Sequence, residues 1–269
     1  MAVIELKKEH IQTPEERYDG TVPASPIERK ADKLFHGRIL LQGTEIENLA
    51  AAERFRILRA KIERHNLGKN RYHVLAVTSA VPEEGKSVVA VNLARALSLD
   101  PVGKTLLIDA DMRKPSVHDF FSIPQEPGLS DILITTRGAN SVIREATPTL
   151  HVITAGTMLT DPTQAIERPE FPILLDQLKH HYRYIIIDCP PTLLCPEPIT
   201  ISSIVESTLL VVRAWKTDRQ LVEEAVSILG RSKIFGIIVN DINDASRIYD
   251  YYGYYGYRRT NEKTVPLRP

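Results

Sequence analysis

The chain has no excess of charge of either sign: 34 Lys and Arg stand against 34 Asp and Glu in 269 residues, a formal net charge of +0. A balanced composition offers nucleic acid or an anionic bilayer no global attraction, so neither is expected as a direct partner. Cysteine is scarce, Cys189 and Cys195 being the two. They are too few for a disulfide framework and lack metal-ligand spacing, which marks them as reduced packing residues of a cytosolic protein. Long apolar runs are also missing. Tyr184–Ile187 and Thr208–Val212 are of strand length, far below the ~20 residues that span a bilayer. Met1–Glu5 leads into Lys-Lys-Glu-His, not the apolar core of a secretion signal, and no internal repeat is visible. What is present is 43% hydrophobic residues, enough for a substantial core.

Residues 74–87 read Val-Leu-Ala-Val-Thr-Ser-Ala-Val-Pro-Glu-Glu-Gly-Lys-Ser, an apolar strand entering a phosphate-binding loop. A good helix-forming segment, Val-Val-Ala-Val-Asn-Leu-Ala-Arg-Ala-Leu, follows. The order strand, loop, Gly-Lys-Ser, helix is what gives a P-loop match its weight. Amides of such a loop and of the helix start point at one place and stabilise an anion there. The expected cradle spans Ala80, Val81, Pro82, Glu83, Glu84, Gly85, Lys86, Ser87 and Val88, with Lys86 on the β/γ-phosphates of a nucleoside triphosphate and the Ser87 hydroxyl on Mg²⁺. Ala80 stands where the usual pattern has its first glycine. Glu83 and Glu84 are expected to point outward to solvent or to a partner, because facing the phosphates is repulsive. A chance Gly-Lys-Ser in a turn is the competing reading.

Residues 1–43 are polar, mixed in charge and punctuated by Pro14, Pro23 and Pro26, which reads as a disordered arm. Thr44-Glu45-Ile46-Glu47 is a capping box opening a helix to about Arg64, with Gly68 beyond its end. From residue 72, apolar strands near 73–79, 105–109, 150–154, 184–188, 207–213 and 234–240 alternate with helices near 86–98, 139–146, 169–182, 197–205 and 217–230. Continuously apolar strands imply a sheet covered on both faces, and the βα alternation implies a doubly wound, mostly parallel α/β fold. One domain over 44–240 fits, followed by a flexible tail over 241–269.

Two further apolar strands end in acid. Leu106-Leu107-Ile108 runs into Asp109-Ala110-Asp111-Met112-Arg113, and Ile185-Ile186-Ile187 runs into Asp188-Cys189-Pro190-Pro191. Ligands of a parallel sheet lie at the carboxyl ends of its strands, where these carboxylates converge on the phosphates. Mg²⁺ takes hard oxygens, usually one or two carboxylates plus water and phosphate. Asp188 is therefore a candidate for holding a metal-bound water, and Asp109 and Asp111 for sharing metal binding and orienting an attacking hydroxyl. Strand-end aspartates also cap turns and helices; two such segments behind one Gly-Lys-Ser loop favour the metal–nucleotide site. Near the end of the chain, Tyr249, Tyr251, Tyr252, Tyr254, Tyr255 and Tyr257 are six of ten tyrosines. Gly253 and Gly256 among them argue against a helix or core strand. The cluster is either an aromatic patch that docks on a neighbour or a set of phosphate acceptors, each gaining roughly −1.5 to −2 charge on modification.

Over about residues 44–257 the chain resembles the bacterial tyrosine kinases, the P-loop tyrosine autokinases of capsular and exopolysaccharide biosynthesis. Ser79–Ser87 is similar to their Walker A loop, Leu106–Arg113 to Walker A′, Ile185–Pro191 to Walker B, and the tyrosine cluster to their autophosphorylation tail. Gly128-Leu129-Ser130-Asp131 and Ala155-Gly156-Thr157 are lesser matches. Glu53, Arg56 and Arg59 fall on the Glu-x-x-Arg-x-x-Arg pattern through which the family assembles rings; by spacing alone they are a weakly stabilising salt-bridged stripe.

The resemblance implies a cytoplasmic ATP-dependent protein-tyrosine kinase. Its catalytic residues would be Lys86, Asp109, Asp111 and Asp188, its Mg²⁺ would be held by Ser87, Asp109 and Asp188, and Asn240 would touch the base. It implies phosphorylation of the tail between subunits and a homo-oligomeric ring through the helix at 44–64. An inner-membrane polysaccharide chain-length protein (co-polymerase) would activate the kinase at the inner face of the plasma membrane, and a cognate tyrosine phosphatase would oppose it. Departures are visible. Glu83 replaces the first glycine of the family's Pro-Gly-Glu-Gly-Lys, and Asp161-Pro162 stands where a later loop has Asn-Pro-x-x. The signature lysine of cell-division and partition ATPases is Val81 here, which argues against that class. Two alternatives stay open: a non-kinase ATPase of that type that positions a membrane partner, and a nucleotide-gated scaffold whose loop Glu83 has spoiled.

Overall fold

Runs of apolar, largely β-branched residues make the strands, and in a computed structural model residues 2–5, 45–66, 73–100, 102–135 and 138–241 are described. In chain order the elements are β1 (Ala2–Glu5), α1 (Glu45–Asn66), β2 (His73–Ser79), α2 (Lys86–Leu97), β3 (Thr105–Asp109), α3 (Val117–Phe121), α4 (Leu129–Ile134), β4 (Arg144–Thr147) and β5 (Leu150–Ile153). They continue with α5 (Pro162–Glu167), α6 (Glu170–Lys179), β6 (Tyr184–Asp188), α7 (Glu197–Ile204), β7 (Ser207–Arg213), α8 (Arg219–Leu229) and β8 (Ile234–Asn240). The strands form one sheet in the order β1-β8-β7-β2-β6-β3-β5-β4. Among the described residues only the β4–β5 pair is antiparallel.

Every residue of β2, β3 and β6 is buried, as continuous apolar strands require when both faces are covered. Successive residues serve opposite faces. Val74, Ala76, Ile185 and Ile187 pack with Phe171, Leu174 and Leu178 of α6, whereas Leu75, Val77 and Ile186 pack with Leu93 and Leu97 of α2 and Phe55, Leu58 and Ile62 of α1. Among the described residues no helix is long and apolar enough to cross a membrane.

Two expectations are corrected. The helix expected at 139–146 is a 3₁₀ turn at Ala139–Ser141 followed by β4. Its local sequence suits a helix, but Val142 and Ile143 are β-branched, and Thr147 ends the strand by accepting the Leu150 amide through its hydroxyl at 3.0 Å around Pro148. Ala2–Glu5, expected in the disordered arm, instead runs parallel to β8 as an edge strand, with Ala2 opposite Gly236. The remainder of the expected arm and the tyrosine cluster from Tyr249 to Tyr257 lie outside the described residues.

Candidate active site

β2 ends at Ser79 and the chain turns through Ala80–Gly85 into α2. Ala80 is wholly buried, so only a small side chain fits there. Glu83 and Gly85 take positive φ, 64° and 90°. The φ of Gly85 favours glycine, and a Cβ there would lie 2.2 Å from Asn240 Nδ2 and displace that side chain. Asn240 itself donates to the Glu84 carbonyl at 2.9 Å, which places it against the loop. Glu83 is exposed, as expected, but Glu84 is not: at 2% exposure it turns inward. The outward orientation expected for it is thus corrected. Its carboxylate is satisfied inside the protein by the Val81 and Arg213 amides and the Thr217 hydroxyl, as a buried charge requires.

Lys86, the first residue of α2, extends to the ends of β3 and β6. Its Nζ lies 2.6 Å from Asp111 Oδ2 and 3.7 Å from Asp188 Oδ1, and donates to Ser87 Oγ at 3.1 Å. Burial depresses the ammonium pKa, but the charges of Asp188 and Asp111 more than offset this and hold it above its ordinary value. Asp109 and Asp188 face each other in register across β3 and β6. Asp109 is fully committed to the backbone: Oδ1 accepts the Asp111 amide at 3.1 Å, and Oδ2 those of Ser116 at 3.1 Å and Val117 at 3.0 Å, at the start of α3. Both oxygens of Asp188 are buried without a hydrogen-bond partner. Burial pushes the Asp188 carboxyl up to about 6, against the pull of Lys86; burial and the Asp188 charge push Asp109 up as well.

A basic group, a hydroxyl and three strand-end carboxylates thus meet at the carboxyl edge of a parallel sheet, beside a helix N-terminus. A family model described as an AAA domain matches residues 73–220, over half of the chain. Tyrosine-protein kinase CpsD of Streptococcus agalactiae is 35% identical over 184 residues, 66% of this chain and 80% of CpsD. The chain belongs to the bacterial tyrosine-protein kinases. The kinase domain of Escherichia coli tyrosine kinase ETK superposes with a TM-score of 0.68 at 29% identity, covering 84% of this chain and 89% of that one. Tyrosine-protein kinase ptk of Acinetobacter johnsonii is 30% identical over 234 residues, and there the chain spans 85% of itself but 32% of the relative.

Around this candidate site the kinase carries supports that the motifs alone do not reveal. The two lesser motifs interlock: Asp131 Oδ2 accepts the Gly128 amide at 2.7 Å, its Oδ1 accepts the Thr157 hydroxyl at 2.8 Å, and Ser130 Oγ donates to the Thr157 carbonyl at 2.7 Å. Arg113 pairs with buried Glu197 at 2.8 Å and reaches Thr163 at 3.2 Å. Asp161 caps α5 by accepting the Gln164 amide at 3.2 Å, with Pro162 at the first helical position. On α1 the stripe divides. Glu53 and Arg56 form an exposed pair at 3.0 Å, whereas Arg59 folds back to Glu63 at 2.7 Å and the Ala96 carbonyl at 3.3 Å.

Proposed function

We propose that this kinase uses Mg-ATP to phosphorylate its own tyrosines, Tyr249, Tyr251, Tyr252, Tyr254, Tyr255 and Tyr257, between subunits of a ring, and thereby regulates capsule or exopolysaccharide polymerisation and export. The observation that carries the reading is Asp188, a buried carboxylate with no hydrogen-bond partner 3.7 Å from the P-loop lysine. Among the described residues no three acidic, His or Cys side chains form an all-protein metal cage. That suits Mg²⁺, which takes most of its ligands from phosphate and water. The residues present fit: Asp188 and the Ser87 hydroxyl would hold the ion, which neutralises charge on the β- and γ-phosphates when bound.

Lys86 and the first-turn amides of α2 would hold the same phosphates, since phosphoryl transfer rests on positioning and charge stabilisation. The tyrosine oxygen forms the new bond to the γ-phosphorus as the bond to the β–γ bridging oxygen breaks. A tyrosine near pKa 10 enters protonated, and its proton passes to a carboxylate. Asp111 is the less committed candidate: its Oδ1 accepts the Lys114 amide at 2.9 Å and its Oδ2 pairs with Lys86 at 2.6 Å, whereas the two oxygens of Asp109 accept three backbone amides. An exposed Glu53–Arg56 pair is available to a neighbouring subunit. A membrane-bound polysaccharide co-polymerase would bring the ring to the inner membrane face and raise its activity, with a cognate phosphatase resetting the tail.

The test is mass spectrometry of the tail after incubation of purified protein with Mg-ATP, with and without cytoplasmic segments of candidate membrane proteins. Phosphate on the 249–257 cluster, lost in Lys86→Met, is the expected result. Hydrolysis of ATP with an unmodified tail would instead establish an ATPase. Phosphorylation persisting in Lys86→Met would remove the site.

A further inference from the structure

Glu84 is an acid inside the phosphate loop, nearly devoid of solvent, and no step of the chemistry above uses it. Its neighbours Glu83 and Gly85 take positive φ, and between them the Glu84 side chain turns into the protein. There Oε2 accepts the Val81 amide at 2.8 Å, Oε1 accepts the Arg213 amide at 3.2 Å, and the Thr217 hydroxyl also donates to Oε1. Thr217 in turn accepts the same Arg213 amide at 2.9 Å. The main-chain carbonyl of Glu84 is held from β8 by Asn240 at 2.9 Å. One residue is therefore gripped through both side chain and backbone, by β7, the turn after it, and β8.

We infer that Glu84 is a positioning residue for phosphate binding: its carboxylate staples the P-loop to the β7–α8 turn and fixes where the loop amides point. The Val81 amide is consumed by the staple, so the cradle is left to the amides beyond Glu84, at the start of α2. A loop whose shape is fixed beforehand loses little freedom when an anion arrives, whereas a free loop must be ordered at that moment. The charge sits in a buried, donor-rich place where it organises the loop, although the same carboxylate facing the cradle would repel phosphate.

The inference rests on the nucleotide-binding reading and is tested by calorimetric titration of the full chain with two probes, Mg-ATP and inorganic tripolyphosphate. Glu84→Ala should weaken both in parallel, by roughly tenfold to a hundredfold, because the loss is in phosphate positioning and not in base contacts. Glu84→Gln keeps one acceptor oxygen for Arg213 and Thr217, so its affinity should fall between that of Glu84→Ala and the parent. Circular dichroism and a cooperative melt establish that each variant is folded; should Glu84→Ala not fold, Thr217→Val removes one donor and should show a smaller parallel loss. Affinity unchanged in a folded Glu84→Ala or Thr217→Val overturns the inference, as does Glu84→Gln binding no better than Glu84→Ala. A parent protein that binds neither probe would overturn the nucleotide reading itself, which separates the two failures.

Discussion

Asp109 and Asp188 occupy matching positions on adjacent parallel strands, yet three backbone amides satisfy the first while the second accepts no backbone amide and has only the Lys86 ammonium at 3.7 Å and the neighbouring Ser87 hydroxyl to favour its charge. The same residue type thus stands in two settings: Asp109 fixes the turn into α3, and Asp188 is left open for the cation-holding role proposed for it. Asp109→Ala leaves the Asp111, Ser116 and Val117 amides without an acceptor, which should cost about 3 kcal/mol. Asp188→Asn removes a buried charge and should raise stability at neutral pH by on the order of 2 kcal/mol, given a pKa pushed up to about 6. Urea unfolding of the nucleotide-free variants reads both; equal destabilisation by the two substitutions would contradict the division of labour.

The pH dependence follows from the same shift. Asp188 holds its proton more tightly folded than unfolded, so its contribution to stability is complete below the ordinary aspartate range near pH 4 and is lost as pH rises through about 6. Parent and Asp188→Asn should therefore converge in stability below about pH 4 and separate above 6. If Asp188 holds Mg²⁺ as proposed, binding runs the opposite way, because a cation competes with that proton. Mg²⁺-dependent ATP affinity of the parent should weaken as pH falls below about 6. Asp188→Asn shows only the titration of the nucleotide itself, and equal pH slopes for the two proteins would refute the assignment.

Glu83 holds a left-handed backbone, φ 64°, at an exposed loop position. That conformation costs a non-glycine residue about 1–2 kcal/mol, while glycine adds roughly 0.5–1 kcal/mol of unfolded-state entropy. Glu83→Gly should thus be neutral to mildly stabilising and should tighten Mg-ATP binding by also removing a negative charge beside the cradle. Glu83→Gln keeps the strain and removes the charge. If Glu83→Gln reproduces the whole gain in affinity, charge is the cause; if neither variant binds more tightly, the loop carries no handicap there.

The strands were legible because burial leaves its mark on composition: Tyr184–Asp188 is apolar on both faces, and so it reads as an interior parallel strand. Lys86, Asp111 and Asp188 were legible for a topological reason, since parallel strands deliver their carboxyl ends to one edge. Arg144–Thr147 was not, because its β conformation depends on antiparallel pairing with β5 against a local leaning toward helix. The inward turn of Glu84 was hidden for a similar reason. It depends on φ values at Glu83 and Gly85 and on donors from Arg213 and Thr217, more than a hundred residues away in sequence. The capping role of Asp109 lay between these cases, visible as a possibility in any strand-end aspartate but decided only by where Ser116 and Val117 fall.

Asn240 offers the sharpest discrimination between a role in the loop and a role at the base. Its Nδ2 donates to the Glu84 carbonyl and lies where a Cβ on Gly85 would intrude, at 2.2 Å. If it serves the loop, Asn240→Ala should weaken ATP, GTP and tripolyphosphate binding alike, by roughly tenfold or less for one lost hydrogen bond; a change in the ATP-to-GTP ratio would assign it to the base instead. Gly85→Ala should weaken binding more than Asn240→Ala does, because φ of 90° is strained for alanine and the new methyl also displaces the Asn240 amide. The double variant removes the collision and leaves the backbone strain, so it should recover part of the lost affinity. That positive coupling between the two sites is the signature of direct contact, and strictly additive losses would show that backbone strain alone accounts for the loss at Gly85.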